Sequence, residues 1–240
     1  MRVALTNFLD HLYWHGGRLT ILGSKIKGLP DNHYWKPICL FSLGQLLTLV
    51  GNMVEDKWDL VHALRLWREW GDEYWVAWVL MDLSGINQVP GSSKEGIQLL
   101  NEALEILGRL RKPIKQAQCF IVLAGLLGFE EQFDAAEEAA SRAIDLLPEK
   151  DNQYLIYKSH CTLSWICMSK GKGEKAIHHF EVAVGIATPF NWHDDLCGVH
   201  HKLAIIFLCE GRFNDAQAHV EQAKSHLIDN AYALGNTMAM

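Results

Sequence analysis

The stretch from Leu163 to Ala183 reads LSWICMSKGKGEKAIHHFEVA, and three of its residues belong to columns that recur every 40 positions. Leu163 stands in register with Leu43, Leu83, Leu123 and Leu203. Ala183 stands with Ala63, Ala103, Ala143 and Ala223. Gly171 stands with Gly51, Gly91 and Gly211, and Glu131 alone departs from that series. Self-similarity at a period of 20–50 residues marks an array of supersecondary units, each burying its apolar face against the next.

Each column has a physical reason. The residue after the leucine is small in every unit (Gly44, Ser84, Ala124, Ser164, Ala204), which lets a second helix approach closely. Eight residues past the leucine, glycine ends the first helix because it tolerates the left-handed conformation of a helix C-terminus. Twelve residues further stands the alanine, a second close-packing position. Leu60, Leu100, Ala140, Phe180 and Val220 precede these alanines by three residues and share their helical face. Pro37 and Pro113 stand where first helices begin, a place proline suits. Ser92 followed by Glu95 forms a capping box for a second helix, and Pro148 and Pro189 stand where second helices have ended. No segment alternates as a strand does. The unit reads as helix, tight turn, helix, loop.

The pattern resembles the tetratricopeptide repeat, whose signature runs W-x2-L-G-x2-Y, then A-x3-F, then P. Leu43-Gly44 supplies L-G, with Leu47 at the tyrosine place; Ala136, Ala176 and Ala216 supply the alanine; Ala176 and Phe180 form the full A-x3-F; Pro148 supplies the proline. The tryptophan place holds Leu40, Leu80, Phe120, His160 and His200, and Asp56 and Gly96 replace the alanine in the first two units. The repeat is longer than the family's usual length of about 34 residues. The resemblance implies an all-α, right-handed superhelical solenoid of antiparallel helix hairpins. Five repeats are expected over residues 36–230 (36–75, 76–115, 116–155, 156–195 and 196–230). Leu9, Tyr13, Gly17, Leu22 and Ile26 fit the same pattern, so residues 1–35 read as a divergent N-terminal hairpin. Residues 231–240 read as the start of a further helix. No polar cap closes the array, which leaves open both a longer parent chain and self-association through uncapped ends.

Composition agrees with a folded, interacting protein. Apolar residues make up 49% of the 240 residues and charged residues 21%. A formal charge of −6 and a pI near 6.0 argue against nucleic-acid binding, which needs a basic surface. No apolar run reaches the roughly 20 residues that span a bilayer, and Asn7, Asp10 and His11 interrupt any signal-peptide core. The expectation is a soluble cytoplasmic chain without membrane partners. Cys39, Cys119, Cys161, Cys167, Cys197 and Cys209 form no C-x-x-C pair and sit among apolar neighbours, so reduced, buried thiols are expected.

In repeats of the family that this chain resembles, first helices line a concave groove. Carried over by position, that groove receives Phe41, Gln45, Trp78, Met81, Gln88, Gln118, Ile121, Lys158, Cys161, Trp165, His201 and Lys202. The mixture of apolar, aromatic and amide groups suits an extended peptide or a helix; the alternative is packing between neighbouring first helices. The lysine- and asparagine-rich clamp of the family's chaperone-tail binders is missing. Trp58, Trp67, Trp70, Trp75 and Trp78 crowd one stretch; core packing is favoured over a binding hot spot, with Trp78 expected to be the most exposed of them. Residues 128–151 carry eight acids (Glu130, Glu131, Asp134, Glu137, Glu138, Asp145, Glu149, Asp151) against two bases, read as a solvated face.

Chemistry is not expected. His178-His179 and His200-His201 point about 100° apart on a helix, and His11/His15 lack the glutamate of H-E-x-x-H, so no metal site follows. Asp194-Asp195 beside His193 fall in an expected loop. No nucleophile elbow, P-loop or dinucleotide fingerprint occurs, so neither catalytic residues nor a cofactor is expected. The leading expectation is a scaffold that holds a protein or peptide partner. The second is the sensor or autoinhibitory repeat region of a larger STAND-type NTPase, since the array also resembles the C-terminal repeats of fungal NB-ARC-like signalling NTPases.

Overall fold

A computed structural model describes residues 23–49, 53–86, 93–148 and 152–238. Glycines 51 and 91, Gln88, Ser92 and most of the expected N-terminal hairpin lie outside these residues. The chain divides between Lys112 and Pro113 into two compact units. The described secondary structure is helical throughout. In the first unit, α1 spans Lys36–Leu49, α2 Met53–Trp70, α3 Glu73–Ile86 and α4 Ser93–Arg109. In the second, α5 spans Pro113–Phe129, α6 Phe133–Asp145, α7 Gln153–Ser169, α8 Gly173–Ala187, α9 His193–Cys209 and α10 Phe213–Met238, with a 3-10 turn at Thr188–Phe190 before α9. Consecutive odd and even helices pair as hairpins.

The period holds to the residue. The second helices begin at Met53, Ser93, Phe133, Gly173 and Phe213, each 40 after the last, and α3, α5, α7 and α9 begin at 73, 113, 153 and 193. These four starts fall three residues before the expected repeat edges at 76, 116, 156 and 196. Asp194 and Asp195 are correspondingly not in a loop; they occupy the first turn of α9, where carboxylates complement the helix dipole. At the other end, α10 runs unbroken through residue 238. The expected helix start at 231 therefore falls inside α10.

The columns do what their chemistry requires. Leu43, Leu83, Leu123, Leu163 and Leu203 are buried, as are Ala63, Ala103, Ala143 and Ala183. The small residue after each leucine brings the hairpin partner close: Ser164 is buried, and its hydroxyl donates to the Ala176 carbonyl across the α7–α8 pair at 2.7 Å. Gly171 and Gly211 take φ of +68° and +74°, and Glu131, the departure from the glycine column, takes +59° all the same. In each turn the third residue past the helix reaches back to a carbonyl of its last turn, as Lys172 does to Cys167 and Gln132 to Leu127, both at 2.9 Å. In the first unit the same closure ends α2 at Gly71 and α4 at Arg111.

The core of the second unit follows one stripe on α8 (Ala176, Phe180, Ala183, Ala187), at spacings of four, three and four residues, packed under Leu196, Val199 and Leu203 of α9. In the first unit, residues 23–35 are tied down by Lys36. Its buried ammonium donates to the carbonyls of Lys27 and Leu29 and pairs with Asp31 at 2.7 Å. Asp31 also pairs with Arg65 of α2, and these partners hold its carboxyl well below the usual range.

Candidate partner-binding surface

The first helices carry parallel rows of residues 40 apart, and burial differs along those rows. In the first unit, Phe41 and Trp78 are buried, 3% and 7% exposed, so they are corrected from partner contacts to core. The physical reason is an aromatic stack. Phe41 meets Trp75 and Trp78 edge-on at 5.7 and 5.8 Å, while Trp75 lies flat between Trp67 and Trp78, with centroids 5.2 Å from each. Trp78 is thus not the exposed tryptophan of its stretch; Trp58, on the outer face of α2, is 72% exposed. Met81 is half-buried, and Gln45 is exposed with its amide donating to Asp82 at 2.8 Å.

In the second unit the equivalent positions reach solvent. Gln118 and Ile121 on α5, and Lys158, Cys161 and Trp165 on α7, are half-buried; His201 and Lys202 on α9 are exposed. Trp165 is the anchor of this face. Its indole packs on Phe129, centroids 5.3 Å apart, and lies directly over Gly128, where a Cβ would overlap its six-membered ring. Glycine at 128 is what lets the ring settle there. Lys158 is held by Asp195 at 3.4 Å and by the faces of Tyr154 and Tyr157. Burial works against its charge, but the Tyr154 and Asp195 partners outweigh it and leave the pKa above the ordinary lysine range. Burial pushes the Cys161 thiol up, so it behaves as an apolar contact and not as a thiolate. The Oε1 of Gln118 is buried with no hydrogen-bond partner among the described residues.

Two apolar residues of the same face did not emerge from the sequence. Ile205 and Leu208 on α9 are 40% and 51% exposed. They stand 40 residues after Trp165 and Met168, one and two turns beyond His201, so the period itself was the signal that could have found them. The face is uneven: nothing lies within 4 Å of where a Cβ would stand on Gly125 of α5 or Gly198 of α9, while α7 fills the matching positions with Trp165 and Lys158. At one edge, Tyr154 and Phe190, both largely exposed, pack on Trp192 at 5.2 and 4.9 Å. The outcome is an apolar and aromatic ridge flanked by lysines, a histidine and an amide. All six cysteines are free, with Cys119 and Cys167 buried and Cys209 exposed. No described helix is long and apolar enough to cross a membrane.

The fold is all-α and of the tetratricopeptide-like helical-repeat class. Solved structures of that class superimpose on it. A Rap protein complexed with competence and sporulation factor matches with a TM-score of 0.75 at 16% identity, over 89% of this chain and 60% of that one. BtubC (BKLC) from P. vanneervenii matches with a TM-score of 0.73 at 17% identity, over 89% of this chain and 91% of that one. A STAND signal-transduction ATPase with a tetratricopeptide repeat sensor, from Pyrococcus horikoshii, matches with a TM-score of 0.68 at 13% identity, over 100% of this chain and 37% of that one. The chain therefore spans less than two thirds of the Rap and STAND proteins. At these identities the likeness establishes the fold alone. No protein-family model and no curated protein matches the sequence.

Proposed function

We propose that the chain is a binding scaffold that takes up a protein or peptide along α5, α7 and α9 of its second unit. The observation that carries this reading is the run of solvent-reaching side chains on these helices. Phe41 and Trp78 are sealed by aromatic packing in the first unit, while their counterparts Ile121, Cys161, His201, Gln118 and Lys158 in the second are not, and Trp165, Ile205 and Leu208 add apolar anchors beside Lys158, His201 and Lys202. A few large anchors surrounded by weaker polar contacts is the usual energetic layout of a protein-binding face. The net charge of −6 disfavours nucleic acid as the partner.

The test is a peptide-display selection on the full chain, followed by anisotropy measurements on the selected sequences with Trp165→Ala and Ile205→Ala. Loss of about tenfold or more in affinity for Trp165→Ala supports the assignment. Selected peptides that bind both variants as tightly as the parent would remove this face from consideration. A second reading has its own observation: the whole chain superimposes on part of a STAND protein that has a repeat sensor. On that reading the array senses a ligand for a nucleotide-binding module. Sequencing the surrounding transcript decides it, since a G-x-x-x-x-G-K-[ST] motif upstream is required.

A further inference from the structure

Two histidine contacts recur on the 40-residue period. His160 of α7 meets His179 of α8 through their Nδ1 atoms at 3.1 Å, and His200 of α9 meets His219 of α10 in the same way at 3.0 Å. A third such contact, His193 to His226 at 3.3 Å, also joins α9 to α10, and the rings of His200 and His226 stack with centroids 5.6 Å apart. In each Nδ1–Nδ1 contact one nitrogen carries the hydrogen and the other the lone pair. Such a pair tolerates one added proton, on the far nitrogen of the donating ring. A second proton destroys the lone pair and sets two cations face to face.

The surroundings give that charge little relief. His200 is buried, and His160, His179 and His219 are half-buried. The titratable groups facing His160 are His179 and His178, both on α8. Those facing His179 are His178 and Lys175 on its own helix and Glu137 from α6, the single acid of the set. Those facing His200 are His219 and His226 on α10. Burial first, and the neighbouring histidines second, push His160 and His200 down to about 4. Among the described residues, no three His, Cys, Asp or Glu side chains are placed to share a metal ion.

We propose that the α7–α8 and α9–α10 hairpins are closed by proton-sensitive histidine clasps, so that acidification toward pH 5 loosens the first helices of the second unit from their partners. The direction follows from linkage. A histidine whose folded pKa lies below its unfolded value contributes stability that is complete above about pH 6.5 and is lost as pH falls toward the folded value. For His200 alone, a drop from 6.5 to about 4 lowers the folding constant about 30-fold between pH 7.5 and pH 5. Because α7 and α9 also carry Trp165 and His201, loosening would reach the proposed binding face. That last link rests on the proposed function; the clasp does not.

Urea unfolding of the full chain at pH 7.5 and pH 5.0 tests the clasp, with His160→Gln/His200→Gln as the comparison. Glutamine keeps a hydrogen-bonding group and takes up no proton. The parent's folding constant is expected to fall about 30-fold more than the variant's for each of the two histidines replaced, on the order of a thousandfold together. Equal falls overturn the proposal. If the variant does not fold, a carbon-13 NMR titration of the parent's imidazoles replaces it. His160 and His200 are expected to titrate at least about one pH unit below the exposed histidines; all 12 titrating together overturns the proposal.

Discussion

Gly128→Ala would place a methyl group inside the space of a tryptophan. A Cβ built on Gly128 lies 2.6 Å from Cη2 of Trp165 and closer still to Cζ3, while the indole is itself held by Phe129. The ring cannot simply rotate away, so the substitution carries an overpacking cost of about 1–3 kcal/mol. Opposing it is the better helix propensity of alanine, up to about 1 kcal/mol and less near the end of α5 where this residue sits. The net effect in the parent chain is a loss of about 0–2 kcal/mol. In a Trp165→Leu background the obstruction is gone, and the same Gly128→Ala change should stabilise by up to about 1 kcal/mol. The coupling energy of the double-mutant cycle is then about 1–3 kcal/mol, well above the few tenths expected of independent sites. Urea unfolding followed by circular dichroism reads all four chains without relying on the tryptophan that is removed. Equal stabilisation by Gly128→Ala in both backgrounds would refute the placement of Trp165 and, with it, the proposed anchor of the binding face.

Three further outcomes follow from the same packing. Ala183→Trp, at a fully buried position on the α8 stripe, should cost about 1–3 kcal/mol or more in a denaturant melt, and an unchanged midpoint would contradict the stripe. Glu131→Gly should stabilise the chain by roughly 0.5–1 kcal/mol in thermal unfolding, because the left-handed strain it relieves exceeds the added freedom of the unfolded chain. Lys170→Met should make the acid limb of the stability curve shallower. Lys170 lowers the carboxyls of Asp134 and Glu137 by hydrogen bonding, so their contribution is present above the usual carboxylate range and fades as pH falls through it. A limb of unchanged steepness between about pH 5 and pH 3 would show that the pairs carry no folding energy.

Much of the fold was legible because it depends on residue size and spacing, which a sequence shows directly. A leucine followed by a small residue, with glycine eight positions on and alanine twelve beyond that, dictates where helices touch and where they stop. Glu131 shows that the backbone requirement at a column can outlast the residue that best meets it. The binding face was only half legible. The period tells which face of a first helix a residue occupies, but its depth depends on what neighbouring helices bring. Phe41 and Ile121 share a row, yet Phe41 is sealed under Trp75 and Trp78 while Ile121 stays half open. Ile205 was missed because an isoleucine in a helix reads as core until the matching tryptophan at 165 is set beside it. The histidine contacts joined residues 19 and 33 apart, a relation set by hairpin geometry that adjacency in sequence does not display.

Within each unit, every helix packs mainly on the next one or two helices along the chain. Bringing such partners together closes only short loops, so little chain entropy is lost before contacts form, and topologies of this sort fold quickly. Nor does any single hairpin have to form first: structure can start at several points and spread to its neighbours. A chain emerging from the ribosome could therefore fix each hairpin about as soon as its second helix is clear of the exit, leaving little apolar surface waiting for residues not yet made.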